Sequence, residues 1–200
     1  MINTQKLRKE ILNKRAKLPP PFQRETALKV ANFISNINIF KKSKHIAAYF
    51  PVRGEMDPRP LIEQAWQEHK TSYLPIVMEN YKLSFAEYNK NDLLINNLYS
   101  IPEPCRETSK LINPKDLDIV IMPLVAFDIN GNRLGTGTGY YDRTFAFTKQ
   151  LTRRNKPYLI GIAYEFQKAP DLSPQPWDVP LNMVVTEARI YKITGKKQFY

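Results

Sequence analysis

The chain has only seven glycines in 200 residues, and Gly131, Gly135, Gly137 and Gly139 are crowded into one short stretch. Glycine that scarce and that concentrated marks backbone needing φ > 0 or a close approach to a partner. Upstream, the apolar run 119–124 reads as a buried strand; downstream, 140–150 has the composition of a short helix. Strand, glycine turn and helix form an arrangement in which backbone N–H groups can cradle phosphate. Arg133, Arg143 and Asp142 frame the turn. Arginines pair with phosphate oxygens, and a carboxylate there can hold a magnesium ion. No Gly-Lys-Ser/Thr follows, so this is not a P-loop, and the G-x-G-x-G spacing is not the dinucleotide fingerprint. By spacing alone, a tight turn that binds nothing remains open.

Composition narrows the class. With 42% hydrophobic and 24% charged residues the chain has an ordinary globular make-up, and its length suits one domain over 1–200. No apolar run approaches the roughly 20 residues of a membrane span. Residues 1–17 are charged throughout and lack the apolar centre of a signal peptide, so a cytoplasmic location is expected. The single Cys105 excludes an internal disulfide, and one Cys with two His argues against structural zinc. The net charge of +11 suits a polyanionic partner such as nucleic acid, ATP or a polyglutamylated substrate, or else a basic solvated surface. Composition does not choose among these.

Periodicity predicts a helix over 3–18, stopped by Pro19-Pro20-Pro21, and a second over 22–36 with Ala27, Val30, Ala31 and Ile34 on one face. Residues 46–50 read as a central strand ended by Pro51. Asp57-Pro58 signals a helix start, with Leu61, Ile62, Ala65 and Trp66 as its buried face. Further strands are expected at 71–74, 83–86, 118–122, 159–163, 183–186 and 190–192, with a polar, proline-punctuated loop over 89–115. Helices alternating with buried strands predict an α/β fold: a single three-layer domain whose mainly parallel central sheet is flanked by helices.

Other constellations carry chemical potential. In Phe50-Pro51-Val52-Arg53-Gly54-Glu55-Met56-Asp57 a strand ends and a helix begins, a usual ligand-binding location in α/β sheets. Asp57 is read as a helix cap; Glu55 has no capping duty at that spacing and is freer to bind. The N-terminal helix carries Lys6, Arg8, Lys9, Lys14 and Arg15, which a solvated face explains equally well. His45, His69 and Cys105 lie in no nucleophile context.

The string R-L-G-x-G-x-G-Y-Y-D-R at 133–143 resembles the signature of the 5-formyltetrahydrofolate cyclo-ligases, also called methenyltetrahydrofolate synthetases. The basic helix, P-V-R-G-E-M-D, I-P-E-P at 101–104 and W-D-V-P at 177–180 follow that family's order across nearly the whole chain. The resemblance implies ATP- and magnesium-dependent conversion of 5-formyltetrahydrofolate to 5,10-methenyltetrahydrofolate, with release of ADP and phosphate. The formyl oxygen attacks the γ-phosphate, a folate nitrogen closes the ring, and phosphate leaves.

On that resemblance the ATP site comprises Lys6, Arg8, Arg133, Leu134, Gly135, Thr136, Gly137, Thr138, Gly139, Tyr140 and Tyr141. Phe50, Glu55 and Tyr140 contact the substrate, Arg133, Arg143 and Tyr140 serve catalysis, and Asp142 with Asp178 holds magnesium. Two positions depart from the pattern: the lysine expected three residues before Leu7 is Thr4, with Lys6 as a neighbouring substitute, and a second acidic position is Asn182. A monomer acting on a small-molecule folate, polyglutamylated or not, is expected, with neither membrane nor nucleic acid as partner. The rival reading is an inactive domain of this type that binds RNA or another polyanion, although its basic residues lack the interleaved aromatics of a single-strand platform. A related α/β enzyme acting on sugar phosphates or acyl-CoA is the further rival, and the Tyr-Tyr-Asp-Arg end of the loop speaks against it.

Overall fold

The computed structural model describes residues 3–150 and 157–193. Its helices are α1 (Thr4–Ala16), α2 (Pro20–Ser35), α3 (Asn38–Lys42), α4 (Arg59–Gln67) and α5 (Tyr140–Phe145). Its strands are β1 (His45–Ala47), β2 (Thr71–Val77), β3 (Leu83–Glu87), β4 (Leu94–Asn96), β5 (Pro102–Pro104), β6 (Leu111–Ile112), β7 (Ile119–Met122), β8 (Ala126–Phe127), β9 (Arg133–Leu134), β10 (Tyr158–Ile162), β11 (Met183–Val185) and β12 (Ile190–Lys192).

Eight strands form the main sheet in the order β12-β11-β10-β7-β1-β2-β3-β6. From β11 to β2 every pairing is parallel, while β12, β3 and β6 join antiparallel at the two ends. The parallel strands are apolar on both faces because both faces are covered. Ile119 and Ile121 of β7 point into a core shared with α2, α3 and α4, and Val120 and Met122 into one shared with Phe85, Phe127 and Phe145. This is the expected α/β architecture. No helix among the described residues is long and apolar enough to cross a membrane.

Local departures from the sequence reading have local causes. Pro19-Pro20-Pro21 does more than stop α1: Pro20 and Pro21 form the first turn of α2, where the missing N–H groups have no partner to lose. The strand expected over 46–50 is only β1; Ala48 still donates its N–H to the Tyr73 carbonyl at 2.9 Å, and Tyr49 and Phe50 leave the sheet before Pro51. The helix expected over 140–150 is α5 followed by a 3-10 segment, Ala146–Gln150. The loop expected over 89–115 contains the small β4–β5 pair and β6.

The largest departure precedes the glycine turn. Arg133 and Leu134 belong to β9, paired with β8 in a hairpin inserted between β7 and the turn. Asp128 closes that hairpin, its Oδ1 accepting from the N–H groups of Asn130 (2.9 Å) and Asn132 (3.0 Å). The α1 helix lies against it, with Ile11 packed among Val125, Ala126, Ala169 and Leu172.

Candidate active site

A cleft of about 1120 Å³ opens at the carboxyl ends of the parallel strands, where β1 runs into Tyr49 and Phe50 and β7 into Pro123 and Leu124. Ligands bind at that end of open α/β sheets because connecting loops there can vary without disturbing the core. The whole run from Arg133 to Arg143 lines the cleft, as do Phe50, Glu55, Arg8 and Asp178.

The glycine loop is held from two sides. Arg8 Nε donates to the Gly135 carbonyl at 3.0 Å, and Arg143 Nη1 donates to the Thr138 carbonyl at 2.5 Å. The loop enters α5 through Gly139 at φ +72°, where Gly avoids the cost of a left-handed backbone. A Cβ at Gly135 or Gly137 would meet no atom within 4 Å, so this backbone faces open cleft. The Arg143 guanidinium lies over the Tyr81 ring at 5.3 Å.

Behind the loop, Arg133 Nη2 donates to Asp142 Oδ1 at 2.8 Å, and its Nη1 to the Val179 carbonyl at 3.2 Å. The Val179 N–H in turn donates to Asp142 Oδ1 at 3.0 Å. Burial pulls the Arg133 guanidinium below its ordinary pKa, while the carboxylates of Asp142 and Asp178 oppose that shift. Asp178 Oδ2 accepts from the Gln175 N–H at 2.8 Å. Asp142 Oδ2 accepts no hydrogen bond among the described residues. These residues also hold no cluster of three acidic, His or Cys side chains able to cage a metal. Two cleft-facing carboxylates without a cage fit magnesium, which takes one or two carboxylates together with phosphate oxygens and water.

The opposite wall centres on Glu55, whose side chain is 8% exposed. Its Oε2 accepts from the Val52 N–H at 3.2 Å, so, beyond being free of capping, it closes its own turn. Oε1 lies 3.8 Å from Nη2 of the buried Arg15. Burial raises the Glu55 pKa, and Arg15, the Val52 N–H and Arg53 restrain the rise. Asp57 points elsewhere: Pro58, not Asp57, takes the N-cap position of α4, and Asp57 sits one residue before it, accepting from the Arg59 N–H at 2.9 Å. At the mouth, the Tyr140 and Tyr99 hydroxyls lie 3.0 Å apart, and this hydrogen bond leads the causes that push Tyr140 up to about 12. Burial raises the Tyr141 pKa still further.

Nearly all the residues singled out in the sequence therefore meet in one cleft; Lys6 does not. It is exposed and absent from the cleft wall, whereas Thr4 is part of it, because a helix repeating every 3.6 residues faces Thr4, Arg8, Leu12 and Arg15 the same way. Asn182 is also outside the wall; its Oδ1 accepts from the Leu159 N–H at 2.7 Å and pins β10 beside β11. Sequence reasoning placed Arg15 only on a basic helix face and missed Tyr99 and Lys149; all three are in the wall. Only Arg15 had a readable signal, its helical spacing from Arg8. His45 meets the Tyr73 hydroxyl at 3.0 Å and Cys105 meets Glu107 at 3.1 Å, both away from the cleft.

This fold and cleft define an α/β enzyme built around an open glycine loop. The 5-formyltetrahydrofolate cyclo-ligase family model matches residues 1–187. The 5-formyltetrahydrofolate cyclo-ligase of Haemophilus influenzae is 36% identical over 186 residues, covering 90% of this chain and 97% of that protein. The Escherichia coli K12 enzyme of the same name is 33% identical over 184 residues, covering 91% and 99%. Among solved structures, Aquifex aeolicus 5,10-methenyltetrahydrofolate synthetase superposes with a TM-score of 0.82 at 34% identity, covering 100% of this chain and 97% of that one. The chain belongs to the 5-formyltetrahydrofolate cyclo-ligase family.

Proposed function

We propose that the cleft binds ATP along the glycine loop and 5-formyltetrahydrofolate along the Phe50–Glu55 wall, and joins them to form 5,10-methenyltetrahydrofolate, ADP and phosphate. One observation carries this reading: a single continuous cleft has the open loop and its arginines on one side and a buried glutamate on the other.

Arg8, Arg133 and Arg143 counter the phosphate charge, and the N–H groups of Gly135 to Gly139 face the phosphate oxygens. Asp142 and Asp178 would hold magnesium, which when bound neutralises phosphate charge. The Glu55 carboxylate accepts hydrogen bonds from the pterin N–H groups, with Phe50 against the ring and Tyr140 beside the formyl group. The formyl oxygen attacks the γ-phosphorus and ADP departs. The neighbouring folate nitrogen then attacks the activated formyl carbon and releases its proton to solvent, and phosphate leaves as the five-membered ring closes. No side chain needs to form a covalent bond, so orientation and charge neutralisation supply the rate enhancement. The chain is read as a single-domain monomer working in the cytoplasm.

The test mixes purified protein, magnesium, ATP and 5-formyltetrahydrofolate and follows the near-ultraviolet absorbance of the conjugated product. An ATP-dependent rise that a chelator abolishes is expected. Absence of any rise while ATP still binds would refute the reaction.

A further inference from the structure

We propose that Arg15 is a positioning residue for the folate side of the cleft, fixing Glu55 and its loop from α1 without itself touching substrate. The inference rests on the substrate reading of Glu55 given above.

The Arg15 side chain is 1% exposed, yet a guanidinium out of water costs several kcal/mol unless its donors are matched, roughly as for any buried ion. Two of its three nitrogens donate to one carbonyl. Nε and Nη2 both donate to the Arg53 carbonyl, at 3.3 and 3.1 Å, and Nη2 also faces Glu55 Oε1 at 3.8 Å. Nη1 donates to the Leu124 carbonyl at 3.4 Å, an oxygen that Gln167 Nε2 already serves at 3.1 Å. The Leu124 contact is therefore duplicated, and the contacts specific to Arg15 are those on the 53–55 turn.

That turn needs an external hold. Arg53 is left-handed at φ 50° and Gly54 follows at φ 71°. A left-handed non-glycine residue costs about 1–2 kcal/mol. The turn also packs tightly on its anchor: a Cβ at Gly54 would stand 3.0 Å from the Arg15 carbonyl oxygen. Seven residues earlier on the same helix, Arg8 grips the Gly135 carbonyl. α1 therefore sets the spacing between the ATP wall and the folate wall, with Arg8 at one end and Arg15 at the other.

The groups facing Glu55 are Arg15 from α1, Arg53 from its own turn, Tyr49 from the segment after β1 and Tyr141 from α5. Of the two cations, Arg15 has the larger effect on Glu55.

The experiment compares wild type, Arg15→Met, Arg15→Lys, Glu55→Gln and the Arg15→Lys/Glu55→Gln double variant by steady-state kinetics across pH. Arg15→Met should raise KM for 5-formyltetrahydrofolate by about tenfold or more, the scale of a lost charged hydrogen bond, with KM for ATP little changed. The acid limb of its kcat/KM profile should move to higher pH. Arg15→Lys should restore the limb and leave KM raised, because ammonium keeps the charge but loses the fork. In the Glu55→Gln background, Arg15→Lys should add almost nothing. Equal rises in both KM values, or additive effects in the cycle, would overturn the assignment. If Arg15→Met does not fold, the lysine cycle alone decides. If wild type shows no turnover, the proposed function fails and Arg15 is judged by carboxyl NMR of Glu55 in wild type and Arg15→Lys. An unchanged Glu55 resonance environment rejects the contact, and a displaced one supports it.

Discussion

Arg133 and Asp142 form a 2.8 Å ion pair whose two members each reach the backbone of Val179, one through its carbonyl and the other through its N–H. The side chain of Arg133 is 5% exposed and that of Asp142 20%. The pair thus ties β9, α5 and the W-D-V-P segment together, so it is structural whatever else it does. Arg133→Ala removes the partly buried partner of Asp142 and the contact to the Val179 carbonyl, and should cost about 1–3 kcal/mol, measured by urea unfolding. Asp142→Asn keeps an acceptor for the Val179 N–H and should fold, while turnover falls by roughly 100-fold or more. Near-normal turnover in Asp142→Asn would remove the carboxylate from the chemistry.

Gly135 and Gly137 separate strain from ligand contact. Gly137 sits at φ +113°, and neither residue has an atom within 4 Å of where a Cβ would be. Gly137→Ala should lose about 1–3 kcal/mol of stability through backbone strain alone. Gly135→Ala should unfold with the wild type and yet raise KM for ATP, because its methyl occupies cleft rather than core. Unchanged ATP affinity in Gly135→Ala would show that nucleotide does not approach this backbone.

The N-terminal helix offers a gain of function. Thr4 lines the cleft and Lys6 does not. Thr4→Lys should lower KM for ATP by several-fold, the worth of one partly exposed ion pair of about 1 kcal/mol. Its cation at a helix start costs about 0.3–1 kcal/mol of stability. Lys6→Ala should leave both Michaelis constants alone. A raised KM for ATP in Lys6→Ala would restore Lys6 to the nucleotide site.

Glu55 should trade stability for function. Burial raises its pKa in the folded protein. A group raised on folding contributes stability that is present in full below its unfolded pKa and is lost as pH rises through the folded value. The ionised form of Glu55 is thus a liability to the fold. Glu55→Gln should be more stable than wild type at pH 7, and the gap should close as pH falls below about 4, the ordinary glutamate range. Thermal unfolding of both proteins across pH measures this, and equal stability at pH 7 would contradict it.

Much of this site was legible in residue order alone. The glycine spacing, the Arg133 and Asp142 flanks and Glu55 at the exit of a strand are local signals, written in consecutive residues and in glycine's freedom at positive φ. The β8–β9 hairpin was not read, although Asn130-Gly131 between Phe127 and Arg133 is a turn signal, because the apolar run before it invited a longer strand.

The choice between Thr4 and Lys6 was decided by which face of α1 meets the hairpin, and Ile11 packing on Val125 and Ala126 fixes that rotation. The role of Asn182 was decided by the register of β10 on β11, a pairing between distant segments. The sequence alone determined the α/β class and the family, and marked Arg133 to Arg143 as one candidate loop, because each rests on short-range pattern. Tertiary structure decided that Arg15 belongs with Glu55, forty positions apart, because burying a charge depends on what the whole fold brings around it.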